Sequence, residues 1–488
     1  MEKEKRLGQV FTPHDLVVTI LDIADYTERD GILGKHVIDN SCGDGAFLVE
    51  VVRRYCTAHR HAHANAQRAE LTRQLGEFIH GIEIDPGSHQ SCLRNLDALA
   101  EELGLPKVEW DIRLADALET HAFDGRMDFV VGNPPYVRVH NLDAAARIKR
   151  YGFCGGGMTD LYLVFYELGL KMLAPDGRLC YITPSSWTTS VAGRGMRNHI
   201  QRTGCLRGIV DLQHFQPFSA TAYTAITLLT KDKTSDSFTY GVYEHPRRVR
   251  AVAALPYNAA FFDGALFLGD RETLRTLKAV KTGHAPSAVE VKNGFATLAD
   301  DVFISDTIPF SRFTIPVVKA STGKWTRAFY PYDRNGKALP KETVFAERQV
   351  ADYLLCNKKS LLKGRRETEH PEWFLYGRTQ ALKDVWTRKY AINTVVRDVP
   401  SIKFTPVSEG AGVYSGLYIL TEIPEDRLRS ALLCDDFIHY VSSLRKYKSG
   451  GYYTFSSRDL KQYLDYRLRH LQKARDRTAC RQMELPLD

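Results

Sequence analysis

The N-terminal half of the chain alternates short apolar runs with longer amphipathic segments. A first helix is predicted with Thr12 as its N-cap and Pro13 as its first residue, because apolar residues recur at helical spacing from Leu16 to Ala24. A further helix is predicted over 161–173, closed by a turn at 174–177. The short apolar runs typical of buried strands are 36–39, 78–84, 112–115, 128–131, 178–182, 206–212 and 222–230.

Strands that alternate with helices in this way predict an α/β fold, a Rossmann-like domain with a mostly parallel seven-stranded sheet. This domain is predicted over residues 1–235, followed by a connector with an edge strand and a helix over 236–285. A mixed α+β domain is expected over 286–475, and a tail over 476–488. Parallel sheets bind ligands beyond the carboxyl ends of their strands, so functional residues are expected there.

Composition excludes several classes of protein. No apolar run approaches the roughly 18 to 20 residues that span a bilayer, and the charged start "MEKEKRLGQVF" does not resemble an export signal. The nine cysteines are scattered and form no Cys-x-x-Cys pair, so neither a disulfide framework nor a metal site is predicted. We expect a soluble protein that is not exported and that works in a reducing cytoplasm, with no membrane partner.

Charge is unevenly distributed along the 488 residues. Residues 1–235 hold 26 Lys and Arg against 29 Asp and Glu, whereas residues 236–488 hold 40 against 29. A basic segment appended to a nearly neutral one is typical of a module that binds a polyanion such as nucleic acid. Solvated surface charge without a partner remains the alternative interpretation.

The residues at the predicted strand ends form a pattern typical of a site that binds a nucleotide-like ligand. In "DNSCGDGAF", after the first strand, Gly43 and Gly45 allow a tight turn, without the spacing of dinucleotide or phosphate loops. The second strand ends at Glu83, whose carboxylate could bind a ribose diol, and the third ends near Asp116, which could accept from an exocyclic amine. Alone, each acid is typical of a solvated loop, but all of them precede "VVGNPPY" in one domain.

These segments resemble the gamma-class (TaqI-like, Eco57I-like) S-adenosylmethionine-dependent DNA adenine-N6 methyltransferases over about residues 7 to 230. The strings "LGQVFTP", "DNSCGDGAF", "GIEIDP", "ADAL", "VVGNPPY" and "TDLYLVF" occur in the order of that class. The resemblance implies a class I methyltransferase domain with S-adenosyl-L-methionine as its cofactor. The cofactor contacts that it implies are Thr12, Asp39, Ser41, Cys42, Gly43, Glu83, Ile84, Asp116, Ala117, Asn133 and Pro134.

The Asn-Pro-Pro-Tyr segment suits the chemistry of an amine acceptor. An adenine N6 lone pair is conjugated into the ring, so the nitrogen must be drawn towards tetrahedral geometry before it attacks a sulfonium methyl group. The side-chain oxygen of Asn133 and the carbonyl of Pro134 can each accept one N–H, and Pro135 adds rigidity without a competing donor. No strong general base is needed, because the amine becomes acidic only as the methyl group arrives.

Two aromatic residues are expected to hold a base that has been turned out of the duplex. Tyr136 is predicted to stack on one face of this base. Phe218 is the candidate for the other face, with Phe215 and Tyr223 as rivals and burial in the core as the alternative role.

The substrate class is not fixed by this tetrapeptide alone, because similar ones occur in enzymes that methylate protein glutamines or the amines of RNA bases. Those glutamine enzymes are short, with a small domain before the catalytic one, whereas here a large basic extension follows it. This order favours a DNA-reading domain, and an RNA-base or protein-glutamine methyltransferase remains the alternative.

The C-terminal half contains aromatic and basic segments that resemble the target-recognition domains of Eco57I-like enzymes, such as "EWFLYGRTQAL" and "RKYKSGGYYTFSSRDL". Tyr452 and Tyr453 are equally compatible with core positions. The candidates for phosphate or guanine-edge contacts are Arg378, Arg445, Lys446 and Lys448.

The expected partners follow from these interpretations. Double-stranded DNA is the substrate, and a separate restriction endonuclease is expected because no nuclease-like acid cluster is evident and only six residues precede the first motif. The final segment 482–487, "QMELPL", resembles the peptide that bacterial sliding clamps bind, with an ordinary tail as the alternative. We expect a monomeric bacterial or phage enzyme that is associated with the nucleoid and methylates without cleaving.

Overall fold

The computed structural model describes residues 12–29, 31–63, 68–139, 148, 150–154, 159–218, 222–232, 234–283, 287–364 and 366–483, with side chains described up to residue 472. The chain divides into two compact units, Met1–Thr276 and Leu277–Asp488, each of which is described by itself. Across these described stretches, no helix is both long and apolar enough to cross a membrane.

The first unit is built from alternating helices and strands, as the apolar pattern predicts. Its helices are α1 His14–Ile23, α2 Ala46–Ala62, α3 Arg68–Phe78, α4 Pro86–Glu102, α5 Tyr162–Met172, α6 Arg194–Thr203 and α7 Tyr257–Ala260. Its main strands are β1 Val37–Asp39, β2 Ile79–Glu83, β3 Asp111–Leu114, β4 Met127–Gly132, β5 Leu173–Pro184, β6 Leu206–Asp211, β7 Thr224–Thr230, β8 Ser237–Glu244 and β9 Arg248–Pro256. A short hairpin, β10 Phe261–Phe262 and β11 Ala265–Leu266, precedes helix α8 Arg271–Thr282.

The main strands form one sheet in the order β3-β2-β1-β4-β5-β7-β6-β8-β9. The pairs from β3 to β5 are parallel, and β7 is antiparallel to both of its neighbours. Every residue of β1 and β2 is buried, as expected of strands that are covered on both faces. The first seven strands therefore form the predicted Rossmann-like sheet.

The sheet is larger than predicted, with nine strands instead of seven. Strand β8 pairs in parallel with β6, and β9 forms the antiparallel edge. Most of β9 is exposed, and its first three residues include Arg248 and Arg250, as expected of an edge strand. The edge strand expected within 236–285 is thus an extension of the first unit's sheet.

Two local predictions need correction. Helix α1 begins at His14, with Pro13 as its N-cap and no side-chain cap, so Thr12 does not play the capping role assigned to it. The carbonyl of Pro13 instead accepts the N–H groups of Leu16 and Val17. The predicted turn at 174–177 lies inside β5 as an irregularity in its pairing with β4, where Asp176 adopts a left-handed φ of 61°.

The second unit has a mixed α+β architecture of three small sheets, in the orders β12-β19-β15-β17, β14-β13-β18 and β16-β21-β20. Their strands are β12 Glu290–Asn293, β13 Thr314–Lys319, β14 Lys324–Phe329, β15 Lys389–Ile392, β16 Val395–Val396, β17 Phe404–Val407, β18 Gly412–Tyr414, β19 Leu417–Leu420, β20 Tyr447–Lys448 and β21 Tyr452–Thr454. The helices that follow α8 are α9 Asp300–Phe303, α10 Lys341–Phe345, α11 Arg348–Cys356, α12 Lys358–Leu362, α13 Glu425–Leu432, α14 Asp435–Ser443 and α15 Ser457–Met483.

A buried ionic cluster joins separate segments of the second unit. Asp459, near the start of α15, is 4% exposed and accepts Lys281 on one carboxylate oxygen and Lys446 on the other. The N–H and hydroxyl of Ser456 add hydrogen bonds of 2.8 and 2.7 Å. Burial pushes the pKa of Asp459 up, but the two lysines outweigh burial and hold that pKa below its ordinary value.

Candidate active site

The strand-end residues predicted to be functional meet at one edge of the large sheet. Asp39 ends β1, Glu83 ends β2, Asn133 directly follows β4, and Asp116 lies two residues beyond β3. These four strands are adjacent and parallel, so their carboxyl ends lie along the same edge. The structure therefore brings together residues that are spread over almost one hundred positions of sequence.

The loop between β1 and α2 is folded against the end of β2. The Gly43 N–H donates to Glu83 Oε2 at 2.8 Å, and the Cys42 N–H donates to the carbonyl of Ile82 at 3.0 Å. Gly45 opens α2 with a φ of 88°, and a Cβ there would lie 2.7 Å from Cys92 Sγ. A side chain at this position is excluded both by conformation and by space.

Glu83 is held in a fixed orientation at the end of β2. It is 6% exposed, and its second oxygen accepts the N–H of Asp85 at 2.8 Å. A carboxylate has about four acceptor positions, so two bonds to the backbone leave capacity for the hydroxyls of a ligand. The next residue, Ile84, is 55% exposed and adds an open apolar surface beside this carboxylate.

Asp116 is fixed in a comparable way beyond β3. Its Oδ1 accepts the N–H of Leu118 at 2.9 Å and caps the short helical turn Ala117–Glu119, in which Ala117 is buried. This bond sets the direction of the carboxylate at the edge where β2 also ends.

Asp39 is the most deeply buried acid of the site, with 2% exposure. Burial raises its pKa to about 7, and the negative charges of Glu83 and Asp44 add to this, while the N–H of Ser41, 3.0 Å from Oδ1, opposes it. The hydroxyl of Ser41 is buried and has no hydrogen-bond partner within the described part of the chain. A polar ligand with a positive charge and hydrogen-bonding groups fits this corner.

Strand β4 approaches Asp39 closely at its last residue. Gly132 has a φ of 148°, and a Cβ on it would lie 2.7 Å from Asp39 Oδ1. The backbone leading into Asn133 therefore runs directly beside Asp39, and only glycine at position 132 leaves room for the carboxylate.

The side chain of Asn133 is oriented by the segment before α1. Its Nδ2 donates to the hydroxyl of Thr12 at 3.1 Å, so the nitrogen end of the carboxamide is fixed and the oxygen lies at the opposite end. Pro134 is buried and Pro135 half-buried, and neither has an N–H. Sequence reasoning placed Thr12 near the cofactor but missed its contact with Asn133, 121 residues away.

Tyr136 lies in an aromatic cluster. Its hydroxyl donates to the carbonyl of Ile182 at 3.2 Å, and its ring packs edge to face with Tyr162, 6.4 Å between centroids. Tyr162 opens α5 in the "TDLYLVF" segment and was not predicted as a site residue; its place in that motif is the signal that could have identified it.

Phe218 is the candidate second aromatic that contacts Tyr136, with centroids 6.2 Å apart and planes at 76°. Phe218 is also 7% exposed, so it belongs to the core as well. Of its rivals, Phe215 packs on Tyr243 at 5.4 Å and Tyr223 packs near His214. The rings of Tyr136 and Phe218 are nearly perpendicular, whereas two rings that sandwich a base lie parallel.

The predicted DNA contacts in the second unit differ in their surroundings. Arg378 and Lys448 are exposed, whereas Lys446 donates to the buried Asp459. Arg445 has a left-handed φ of 53° and donates to the hydroxyl of Tyr447 at 3.0 Å. The clamp-like segment 482–487 lies outside the residues whose side chains are described.

The strand order, the antiparallel β7 and the acids and amide at the strand ends define a class I S-adenosylmethionine-dependent methyltransferase domain. The Ser41 hydroxyl and the carboxylates of Asp39, Glu83 and Asp116 fit S-adenosylmethionine as its cofactor. Residues 47–218 match the family model described as Eco57I restriction-modification methylase. This match confirms the resemblance seen in the sequence motifs.

Two Type II methyltransferases are similar to this chain in sequence. The Type II methyltransferase M.PaeR7I of Pseudomonas aeruginosa is 30% identical over 236 residues, covering 46% of this chain and 40% of that protein. The Type II methyltransferase M.XhoI of Xanthomonas vasicola is 32% identical over 243 residues, covering 46% and 43%. The chain thus spans less than half the length of these curated relatives.

A solved structure extends the similarity in fold to nearly the whole chain. The Type IIL restriction-modification enzyme MmeI, in complex with DNA, aligns with a TM-score of 0.62 at 14% identity. The alignment covers 97% of this chain and 70% of MmeI. Both units therefore have counterparts in a known architecture.

Proposed function

We propose that this chain transfers the methyl group of S-adenosylmethionine to the N6 amine of adenine in duplex DNA, as the modification activity of a restriction-modification or related defence system. The observation that carries the proposal is the position of Asn133. Its amide is anchored by Thr12 beside Asp39, directly after β4. This arrangement suits an acceptor that binds an amino group next to the cofactor corner.

The residues after β4 supply two acceptors for the amine. The carboxamide oxygen of Asn133 and the carbonyl of Pro134 can each accept one N–H, which draws the nitrogen out of conjugation. With Nδ2 donating to the Thr12 hydroxyl, the other end of the carboxamide is its oxygen, which is the acceptor that the amine needs. The positioning lowers the barrier without a strong base, because the amine loses its proton only as the new bond forms.

The cofactor supplies an electrophilic methyl group on a positively charged sulfur. The residues of this chain hold and orient it: Asp39 and Ser41 face a charged, polar portion, and Glu83 accepts the ribose hydroxyls. Asp116 accepts from an exocyclic amine, and Ile84 covers an apolar face. Bonds to the backbone fix the three carboxylates before binding, which lowers the ordering cost of binding.

The target base has to leave the duplex to reach this pocket. Extrusion costs a few kcal/mol, and stacking on an aromatic ring contributes about 1–3 kcal/mol per base. Tyr136 provides such a ring next to Asn133, and Phe218 contacts that ring edge to face. In the complex, the two rings rotate from edge-to-face packing to enclose the base.

Three observations support duplex DNA as the substrate. The relatives M.PaeR7I and M.XhoI are Type II methyltransferases, and MmeI binds DNA in its structure. Residues 236–488 carry 40 basic against 29 acidic residues, which favours a polyanionic partner. A separate restriction endonuclease is the expected functional partner.

The test is a methyl-transfer assay with labelled S-adenosylmethionine and three acceptors: duplex DNA of mixed sequence, RNA, and ribosomal or release-factor protein. The proposal expects label in DNA, and N6-methyladenine after digestion of that DNA to nucleosides. Label in N4-methylcytosine would overturn the adenine assignment alone. Label in RNA or protein but not in DNA would overturn the substrate class.

A further inference from the structure

We propose that one face of the small sheet β16-β21-β20 is the surface through which the second unit contacts duplex DNA. This proposal rests on the proposed function and names residues for its sequence-reading part. The sheet combines Val395–Val396, Tyr447–Lys448 and Tyr452–Thr454, three short segments that its ladders bring together.

The pairing register separates the residues of this sheet into two faces. Directly opposed residues of antiparallel strands share a face, so Val396, Tyr453 and Tyr447 lie together. Val396 is 1% exposed and Tyr447 is 7% exposed, and the rings of Tyr447 and Tyr453 are 5.7 Å apart. This face belongs to the interior of the unit.

The other face is open and carries different chemistry. Val395 opposes Thr454, and Lys448 opposes Tyr452. Val395 and Lys448 are exposed, and Tyr452 and Thr454 are partly so. Arg397, two residues after Val395, lies on the same side, with its guanidinium carbon 5.1 Å from the centre of the Tyr452 ring.

The charge on this face favours a nucleic acid. Arg397 and Lys448 flank Tyr452, so two cations lie across the sheet on either side of an aromatic ring. Arg397 also contacts Asp398 at 3.1 Å, but this pair is exposed on both sides, and such surface pairs contribute little. A phosphate can therefore displace Asp398 from the guanidinium at small cost.

The dimensions and the remaining side chains fit a groove of B-form DNA. Adjacent strands lie about 4.8 Å apart, so three strands span about 10 Å, against a major groove about 12 Å wide. The methyl groups of Val395 and Thr454 suit contact with a thymine methyl, and the Thr454 hydroxyl can bond to base edges. The turn at Gly450 and Gly451, with φ of 73° and 78°, projects no side chain that would block approach.

The buried ionic cluster holds this face in place. Lys446, directly before β20, pairs with Asp459, and its carbonyl accepts the N–H of Thr454 at 2.8 Å. Lys446 is therefore a positioning residue for the face, whereas its neighbour Lys448 is a contact residue.

The test measures affinity of the full chain for a duplex that it methylates, over a range of salt concentrations. Arg397→Gln and Lys448→Gln should each weaken binding about tenfold and lower the salt slope by about one phosphate contact. Lys324→Gln, which removes an exposed lysine of a different sheet, is the matched control and should change neither value. Lys448→Arg should restore the salt slope, and cofactor affinity should stay constant throughout.

A second measurement tests sequence reading. The methylation rates of duplexes that differ by single base pairs are compared. Val395→Ala and Thr454→Ala should each change the ratio of these rates by about tenfold at the base pair that the residue contacts. If wild-type protein methylates DNA but all four face variants behave like the Lys324→Gln control, the surface is wrong and the proposed function stands. If wild-type protein methylates no DNA, the proposed function fails, and the surface assignment fails with it.

Discussion

Two buried carboxylates, one in each unit, show opposite electrostatic designs. Asp39 lies at the strand-end site with its pKa raised to about 7 by burial and by neighbouring acids, with one N–H of Ser41 opposing the rise. Asp459 is almost equally buried, but Lys281 and Lys446 pair with it and lower its pKa. Asp39 is left to be neutralised by a proton or a ligand, whereas Asp459 is neutralised by its own chain.

This difference separates a binding acid from a structural one more clearly than burial or sequence context does. Buried charge is costly unless it is paired, so a polar corner that keeps an underpaired acid gives up stability of the unliganded protein. A cationic ligand recovers that stability on binding. We therefore propose that Asp39 serves cofactor binding and that Asp459 serves folding, and each proposal can be tested by removing the carboxylate.

The largest effect is expected from Asp459→Ala. Removing it leaves Lys281 as a buried, uncompensated cation and takes away the partner of the partly exposed Lys446, which costs about 3–5 kcal/mol in the free energy of unfolding. Urea unfolding of the full chain checks this, with Asp352→Ala, which removes an exposed carboxylate paired with Arg348, as the control expected to change little. A loss no larger than that of the control would contradict the structural role.

Asn133→Ala is expected to act on the rate instead of on stability. Loss of one preorganised acceptor should slow methyl transfer by about 10²–10³-fold, while cofactor affinity stays nearly constant. Single-turnover assays measure the rate of transfer, and binding measurements give the cofactor affinity. The control is Asn357→Ala, the same substitution at a residue of the second unit, which should change neither value. If Asn133→Ala mainly lost cofactor affinity, the acceptor role would be wrong.

Asp39→Asn should weaken cofactor binding by about 10- to 100-fold, because it removes a charged hydrogen-bond partner and retains the shape. The unliganded variant should be at least as stable as the wild type at pH 8. Calorimetric titration gives the cofactor affinity, and urea unfolding gives the free energy of unfolding. A variant that is destabilised at pH 8 and binds normally would place Asp39 in the same class as Asp459.

The most gradual effect is a pH dependence of stability that differs between the two acids. From about pH 4 to 7, native Asp39 keeps a proton that the unfolded chain has released, so stability falls as pH rises, by at most about 1.4 kcal/mol per pH unit. Asp459 acts in the opposite direction, since its stabilisation is present above about pH 4 and is lost in acid. Unfolding curves of wild type and Asp39→Asn from pH 5 to 8 should converge at the acidic end.

The sequence predicted best those features that depend on residues close together in the chain. The strand ends and their acids follow from short apolar runs and turn glycines, and parallel pairing then places them on one edge. The helix from Tyr162 to Met172 was predicted to within one residue at each end for the same reason. These features need no knowledge of distant contacts.

Features that depend on remote partners were missed. The Thr12 hydroxyl meets Asn133 across 121 residues, and this contact replaces the predicted helix cap. Lys446 resembles a DNA contact in a basic segment, yet its partner Asp459 lies 13 residues on and shares its charge with Lys281. Strand β9 was not recognised as part of the large sheet because its pairing with β8 depends on a partner strand and its first residues include two arginines.

The close approach at Gly132 has a consequence for how this protein can change. Any side chain there would displace the Asp39 carboxylate, so the backbone that leads into Asn133 is bare where it passes this acid. Under the proposed function, a mutation at this point that reshapes the cofactor corner also moves the acceptor residue Asn133, because one stretch of backbone serves both. Drift towards new acceptors is then open through the aromatic side of the cleft and closed through the end of β4.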